Sequence, residues 1–68
     1  MASYRHAKCN DQNFTIWRVS SNKFTIRTND GMFVSTGTKI GEASRLEDAN
    51  TIIKKHSGGK SVDLGYWH

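Results

Sequence analysis

Lys23-Phe-Thr-Ile-Arg-Thr-Asn-Asp-Gly-Met-Phe-Val-Ser35 is the stretch whose reading decides the fold. Phe24 to Thr28 and Met32 to Ser35 are rich in aromatic and β-branched residues, and Asn29-Asp30-Gly31 between them is turn chemistry, with Gly31 free to take a positive φ. Two hairpin registers are open. A two-residue Asp30-Gly31 loop sets Thr28 opposite Phe33 and Ile26 opposite Ser35. A three-residue Asn29-Asp30-Gly31 loop sets Thr28 opposite Met32 and Ile26 opposite Val34. The second is preferred, because it collects Phe24, Ile26, Met32 and Val34 on one face and leaves Thr25, Arg27 and Phe33 on the other.

Upstream, Phe14-Thr-Ile-Trp-Arg-Val19 has the same β character, with Phe14 and Ile16 on one face and Trp17 and Val19 on the other. Ser20-Ser21-Asn22 is a short polar connection, so this strand pairs with Phe24 to Thr28 and residues 14–35 form a β meander. Residues 1–12 are polar and mixed, with Tyr4 the one strong anchor, and are expected to be loosely ordered. Asn10 to Asn13 reads as a turn before the first strand. Thr36 to Gly41 is expected to leave the sheet, with Gly37 and Gly41 as breakers and Ile40 as a plug beneath the loop.

Downstream, Ser44-Arg45-Leu46-Glu47 has the form of a capping box. Leu46, Ala49, Ile52, Ile53 and His56 then recur at three- and four-residue spacing, which predicts a helix over residues 45–57. Glu47 and Asp48 suit its first turn and Lys54, Lys55 and His56 its last, and Ser57-Gly58-Gly59 supplies the stop. Residues 61–67 alternate in part and make a possible last strand. The fold class is therefore α+β: an antiparallel meander of three or four strands with one helix packed on the face that bears Phe24, Ile26 and Val34.

Composition bounds the function. At 68 residues the chain is a single small domain, and its 10 Lys and Arg against 6 Asp and Glu give a net charge of +4, which favours anionic partners. The basic residues are spread along the chain, so no polyanion-binding tail is present. Cys9 is the sole cysteine; no intrachain disulfide can form, and a reducing cytoplasm is the expected compartment. No apolar run of signal-peptide length opens the chain, and no stretch approaches the roughly 20 apolar residues of a membrane span, so a soluble chain with no membrane partner is expected.

Four kinds of chemistry are open to such a chain. His6 and Cys9 are three apart, with His56 and His68 elsewhere, but a structural zinc site wants four ligands in paired clusters, so no metal is expected. Cys9 and Ser44 lack the positioned base and oxyanion donor of a nucleophile, and the carboxylates are accounted for by turns and the helix start; no catalytic residue and no cofactor are expected. Gly58-Gly59-Lys60-Ser61 echoes a phosphate-binding loop, yet residue 54 is Lys where the first glycine belongs, and the segment follows a helix rather than opening one. Binding is left. Trp17, Arg18, Arg27 and Phe33 are candidates to share the sheet face away from the helix, where rings stack on bases and guanidinium groups meet phosphate. Tyr66 and Trp67 are candidates to fold back on the sheet, or to dock on a partner or a second copy; Trp, Tyr and Arg dominate interface energies.

Phe24-x-Ile26-Arg27, Asp30-Gly31-x-Phe33-Val34 and Leu46-Glu47-Asp48-Ala49-x-x-Ile52-Ile53-Lys54-Lys55 together resemble the small strand-strand-helix accessory proteins of bacteriophages and prophages, over residues 23–56. The resemblance implies a non-enzymatic protein that binds and modulates or inhibits a host macromolecule, in host takeover or anti-defence. Its partner would be a host protein or nucleoprotein complex met in the host cytoplasm, with the chain a monomer or homodimer. It carries no site residues. The alternative is direct binding of RNA or DNA by the basic, aromatic sheet face.

Overall fold

The computed structural model describes residues 3–29 and 37–68. Five strands and one helix follow in order: β1 (Ser3–Cys9), β2 (Gln12–Ser20), β3 (Lys23–Thr28), β4 (Lys39–Ala43), α1 (Leu46–Ser57) and β5 (Asp63–Leu64). They form one antiparallel sheet of order β4-β3-β2-β1-β5 with α1 packed on one face, an α+β fold. No helix among the described residues is long and apolar enough to cross a membrane.

Ser3–Cys9 is the first correction, since residues 1–12 were expected to be loosely ordered. Asn10 and Asp11, at φ 51° and 61°, make a two-residue hairpin turn of the mirror-image kind that suits strand twist, and Cys9 pairs with Gln12 across it. The Asn-Asp pair thus joins two strands rather than preceding the first. Asn10 Nδ2 also donates to the Ser57 carbonyl at 2.7 Å, which ties this turn to the end of α1. The extra strand makes the sheet wider than the expected three or four.

The third partner of the meander is the second correction. Ile26 lies opposite Gly41 and Phe24 opposite Ala43, and the Thr28 amide donates to the Thr38 carbonyl at 2.9 Å. Ile26 thus has Ile16 on one side and Gly41 on the other. Asp30-Gly31 and Met32 to Ser35 lie outside the described residues, Val34 and its expected place under the helix included. Gly37 and Gly41 do not end the sheet, because each is required by a close approach. Gly37 sits at φ 118°, where a Cβ would overlap the Thr28 backbone carbonyl. At Gly41 a Cβ would stand 3.1 Å from Ile52 Cγ2, so the missing side chain is what lets α1 lie close on β4.

Alternation along the strands separates two faces. The inner face, under α1, buries Ala7, Cys9, Phe14, Ile16, Phe24 and Ile26 against Ala49 and Ile53, with Ile40, Leu46, Ile52, Val62 and Leu64 around them. Phe14, Ile16, Ile26 and Ile53 are fully enclosed. The start of α1 corrects the capping box: Arg45, extended at φ −135° and ψ 153°, is the N-cap and makes no side-chain cap bond. Its carbonyl takes the first helical amides, Asp48 at 3.1 Å and Ala49 at 3.2 Å, while its guanidinium pairs with Glu47 at 2.9 Å and Asp48 at 3.3 Å. The helix thus starts one residue beyond the position the box requires, with Glu47 already engaged. At the other end Gly58 takes the left-handed conformation, and its amide donates to the Lys54 carbonyl.

After α1 the chain crosses back to the far side of β1. Leu64 pairs with Ala7 and Asp63 with Lys8. The Gly65 amide then donates to the His6 carbonyl at 2.8 Å, and the Tyr4 and His68 backbones exchange hydrogen bonds. This last stretch pairs within the chain.

Candidate functional site

The outer face of the sheet is set by the same register that fills the core. Inward Ala7, Phe14 and Ile16 turn Tyr4, His6, Lys8, Thr15 and Trp17 outward, and inward Phe24 and Ile26 do the same for Thr25 and Arg27. Tyr4 lies directly across from Trp17, with ring centroids 5.0 Å apart. His68 reaches the same face through its backbone pairing with Tyr4 and stacks on the Tyr4 ring at 5.1 Å and 23°. His6 meets Tyr4 edge-on at 5.6 Å and His68 at 5.9 Å. Four rings from β1, β2 and the stretch after β5 thus form one cluster. Trp17 and Tyr4 are half-buried, and both imidazoles are exposed.

Cations flank the cluster. Arg27 lies across from Thr15 in the register, and its Nη1 donates to the Gly37 carbonyl at 3.4 Å; Lys8 stands at the other end of β1. Neither joins an ion pair among the described residues. Lys39 and Lys23 share one carboxylate, Glu42, which Lys39 hydrogen-bonds and Lys23 meets at 3.9 Å. The Lys39 hydrogen bond first, then the charges of Lys23 and Lys39, hold the Glu42 carboxyl below its ordinary range.

The residues singled out from sequence divide between the faces. Trp17 and Arg27 share the outer face. Arg18 does not, since it pairs with Phe24 and turns to the α1 side; adjacent strand residues point to opposite faces, so Trp17 and Arg18 are separated by the pleat itself. Phe33 lies outside the described residues. Trp67 folds back on the inner side, its ring 6.2 Å from Phe24 and under the Arg5 guanidinium at 5.1 Å, while Arg5 Nε donates to the Gly65 carbonyl. Tyr66 is 90% exposed and belongs to neither cluster. Tyr4, His6 and His68 are the residues that sequence reasoning missed. The signal for Tyr4 and His6 was their alternation with Ala7 and Cys9; His68 joins them only through the pairing of distant segments.

Among the described residues no group of three or more His, Cys, Asp and Glu side chains could hold a metal ion. His6 and His68 are neighbours, but Cys9 is buried on the opposite face and His56 lies edge-on against Phe14 at 5.8 Å. Among the described residues the outer face thus presents rings and cations, and α1 packs on the other side of the sheet.

No protein family, curated protein or solved structure matches the chain.

Proposed function

We propose that this chain is a non-enzymatic accessory protein that binds a host macromolecule through the outer face of its sheet and thereby modulates or inhibits it. The observation that carries the reading is the cluster of Tyr4, His6, Trp17 and His68 on the face that α1 leaves uncovered. A domain this small buries little of its surface and has few aromatic side chains to place. Four rings gathered away from the core, beside Arg27 and Lys8, which join no ion pair among the described residues, are better explained by a partner than by stability. The resemblance of residues 23–56 to small phage accessory modules supplies the context of a host target in the cytoplasm.

Affinity capture from host-cell lysate tests the reading. Wild-type protein, the outer-face variants Arg27→Glu and His6→Ala/His68→Ala, and the helix-end variant Lys54→Glu are compared after circular dichroism has shown each to be folded. One stoichiometric partner should come down with wild type and Lys54→Glu and be lost from both outer-face variants. Capture that is indifferent to the outer-face changes would remove the reading.

A further inference from the structure

We infer that the outer face is a platform for single-stranded nucleic acid, on which bases stack against Tyr4, Trp17 and His68 and phosphates meet Arg27, Lys39 and Lys8. The inference rests on the reading that this face is the binding surface, and it names the class of ligand.

Three observations favour this ligand over a protein partner. The first is the distribution of charge. Protein interfaces enrich arginine but deplete lysine and carboxylates at their centre, so it is the surplus of lysines around Arg27 that points away from a protein. Here Arg27 lies on the central strand pair, two register positions along from Trp17, and has no carboxylate partner among the described residues. The outer carboxylate nearest to it in the sheet, Glu42, is taken up by Lys39 and Lys23. Across the described outer face Arg27, Lys8, Lys23 and Lys39 outnumber the carboxylates Glu42 and Asp63, the latter directly opposite Lys8, so its net charge is positive, complementary to a phosphate backbone.

Ring geometry is the second. Tyr4 and Trp17 are inclined at 45°, and His68 stacks on one face of Tyr4 at 23°, so among the described residues the rings form a ledge of differently tilted planes. Such a ledge accepts successive bases without reading their edges, because every base has a π face. The third is openness. Among the described residues no helix or strand packs over this side of the sheet, so the cluster is within reach of unstacked bases, whereas the bases of a duplex are stacked away from such a surface.

The test uses the full chain and labelled oligonucleotides of roughly 12 nucleotides, within the range that small single-strand modules cover. Oligo-uridine and oligo-thymidine distinguish an RNA from a DNA source, and a duplex of equal length is the competitor. Binding is read by fluorescence anisotropy and by quenching of tryptophan emission. With three phosphate contacts the salt slope should be about −2, so a fourfold rise in salt should weaken binding by about 20-fold. His6→Ala/His68→Ala, which removes two exposed rings together with the Asn29 Nδ2 contact to His6 Nδ1 at 3.2 Å, should weaken it at least about fivefold. Trp17→Phe keeps a stacking ring in the fold, and should retain binding while losing most of the quenching. Arg27→Glu should weaken binding strongly and Lys54→Glu, with the same change in net charge, should not.

Equal weakening by Arg27→Glu and Lys54→Glu, or a duplex bound as tightly as a single strand, would overturn the inference. So would the absence of binding at protein concentrations near 10⁻⁴ M, the roughly weakest end of non-specific affinities. In that last case a captured protein that survives nuclease but is lost with Arg27→Glu would leave the outer face as the binding surface with a protein as its ligand. Capture indifferent to the outer face would remove both.

Discussion

Gly59→Ala should destabilise the protein, although glycine-to-alanine changes outside the left-handed region usually do the reverse. Gly59 follows the Gly58 cap, where the chain turns off α1 toward β5. A Cβ built there would overlap the Cys9 sulfur and lie 3.1 Å from Asn10 Cβ and 3.3 Å from the Asn10 amide nitrogen. Cys9 is 2% exposed, so its sulfur has no solvent side to swing into, and Asn10 is held by its bond to the Ser57 carbonyl. Forcing a methyl into a packed site costs about 1–3 kcal/mol, against a gain of about 0.4–1 kcal/mol from the stiffer unfolded chain. The net loss is about 1–2 kcal/mol. Each kcal/mol lowers Tm by about 4–8 °C in a domain of this size.

Cys9→Ala alone should cost about 1 kcal/mol, as it removes one buried heavy atom. In Cys9→Ala/Gly59→Ala the new methyl occupies the space the sulfur leaves. The double variant should therefore be no less stable than Gly59→Ala, with a coupling of about 1–2 kcal/mol against additivity. Urea unfolding followed by far-UV circular dichroism measures all four proteins. Gly59→Ala at or above wild-type stability, or strict additivity in the cycle, would refute the packing argument.

Other positions give independent checks by the same assay. Asn10→Ala should cost about 2 kcal/mol, one part for a left-handed alanine and one for the lost bond to Ser57. Thr15 is fully buried on the outer face and its hydroxyl finds no hydrogen-bond partner among the described residues; Thr15→Val should raise stability by about 1 kcal/mol, and a loss instead would reveal a partner for that hydroxyl. Glu42 has a lowered pKa, so its contribution is present above the ordinary carboxylate value and is lost as pH falls through the depressed one. Glu42→Gln should accordingly be less stable than wild type at neutral pH, with the gap closing on acidification and shrinking in high salt.

The parts of the fold legible in the sequence are those whose signal is local. Phe14, Ile16, Phe24 and Ile26 carry a two-residue period, and Leu46, Ala49, Ile52 and Ile53 a helical one, so β2, β3 and α1 stand out. β1 does not, because its inward positions are Arg5, Ala7 and Cys9: two small residues that fit beneath α1 and one cation that pairs with the Trp67 ring. β4 is concealed by Gly41, whose lack of a side chain is what the close approach of Ile52 demands. At the candidate site, the common face of Trp17 and Arg27 follows from alternation, which equally denies Arg18 a place there. His68 beside Tyr4 follows from the pairing of residues at opposite ends of the fold, and no local pattern encodes it.

β1 has hydrogen-bonded neighbours on both flanks, one reached through a two-residue turn and the other from 60 positions away, as in the bond from Arg5 to Gly65. The first contact forms at little entropic cost and the second must wait for α1 to bring the chain round. Closure by β5 should therefore be a late event in folding, with its contacts largely absent from the transition state. Weakening that flank should accelerate unfolding while leaving the refolding rate nearly unchanged. The rings of Tyr4 and His68 would then come together only as folding completes, so that a partly folded chain displays the cations of this surface before it has assembled the aromatic ledge.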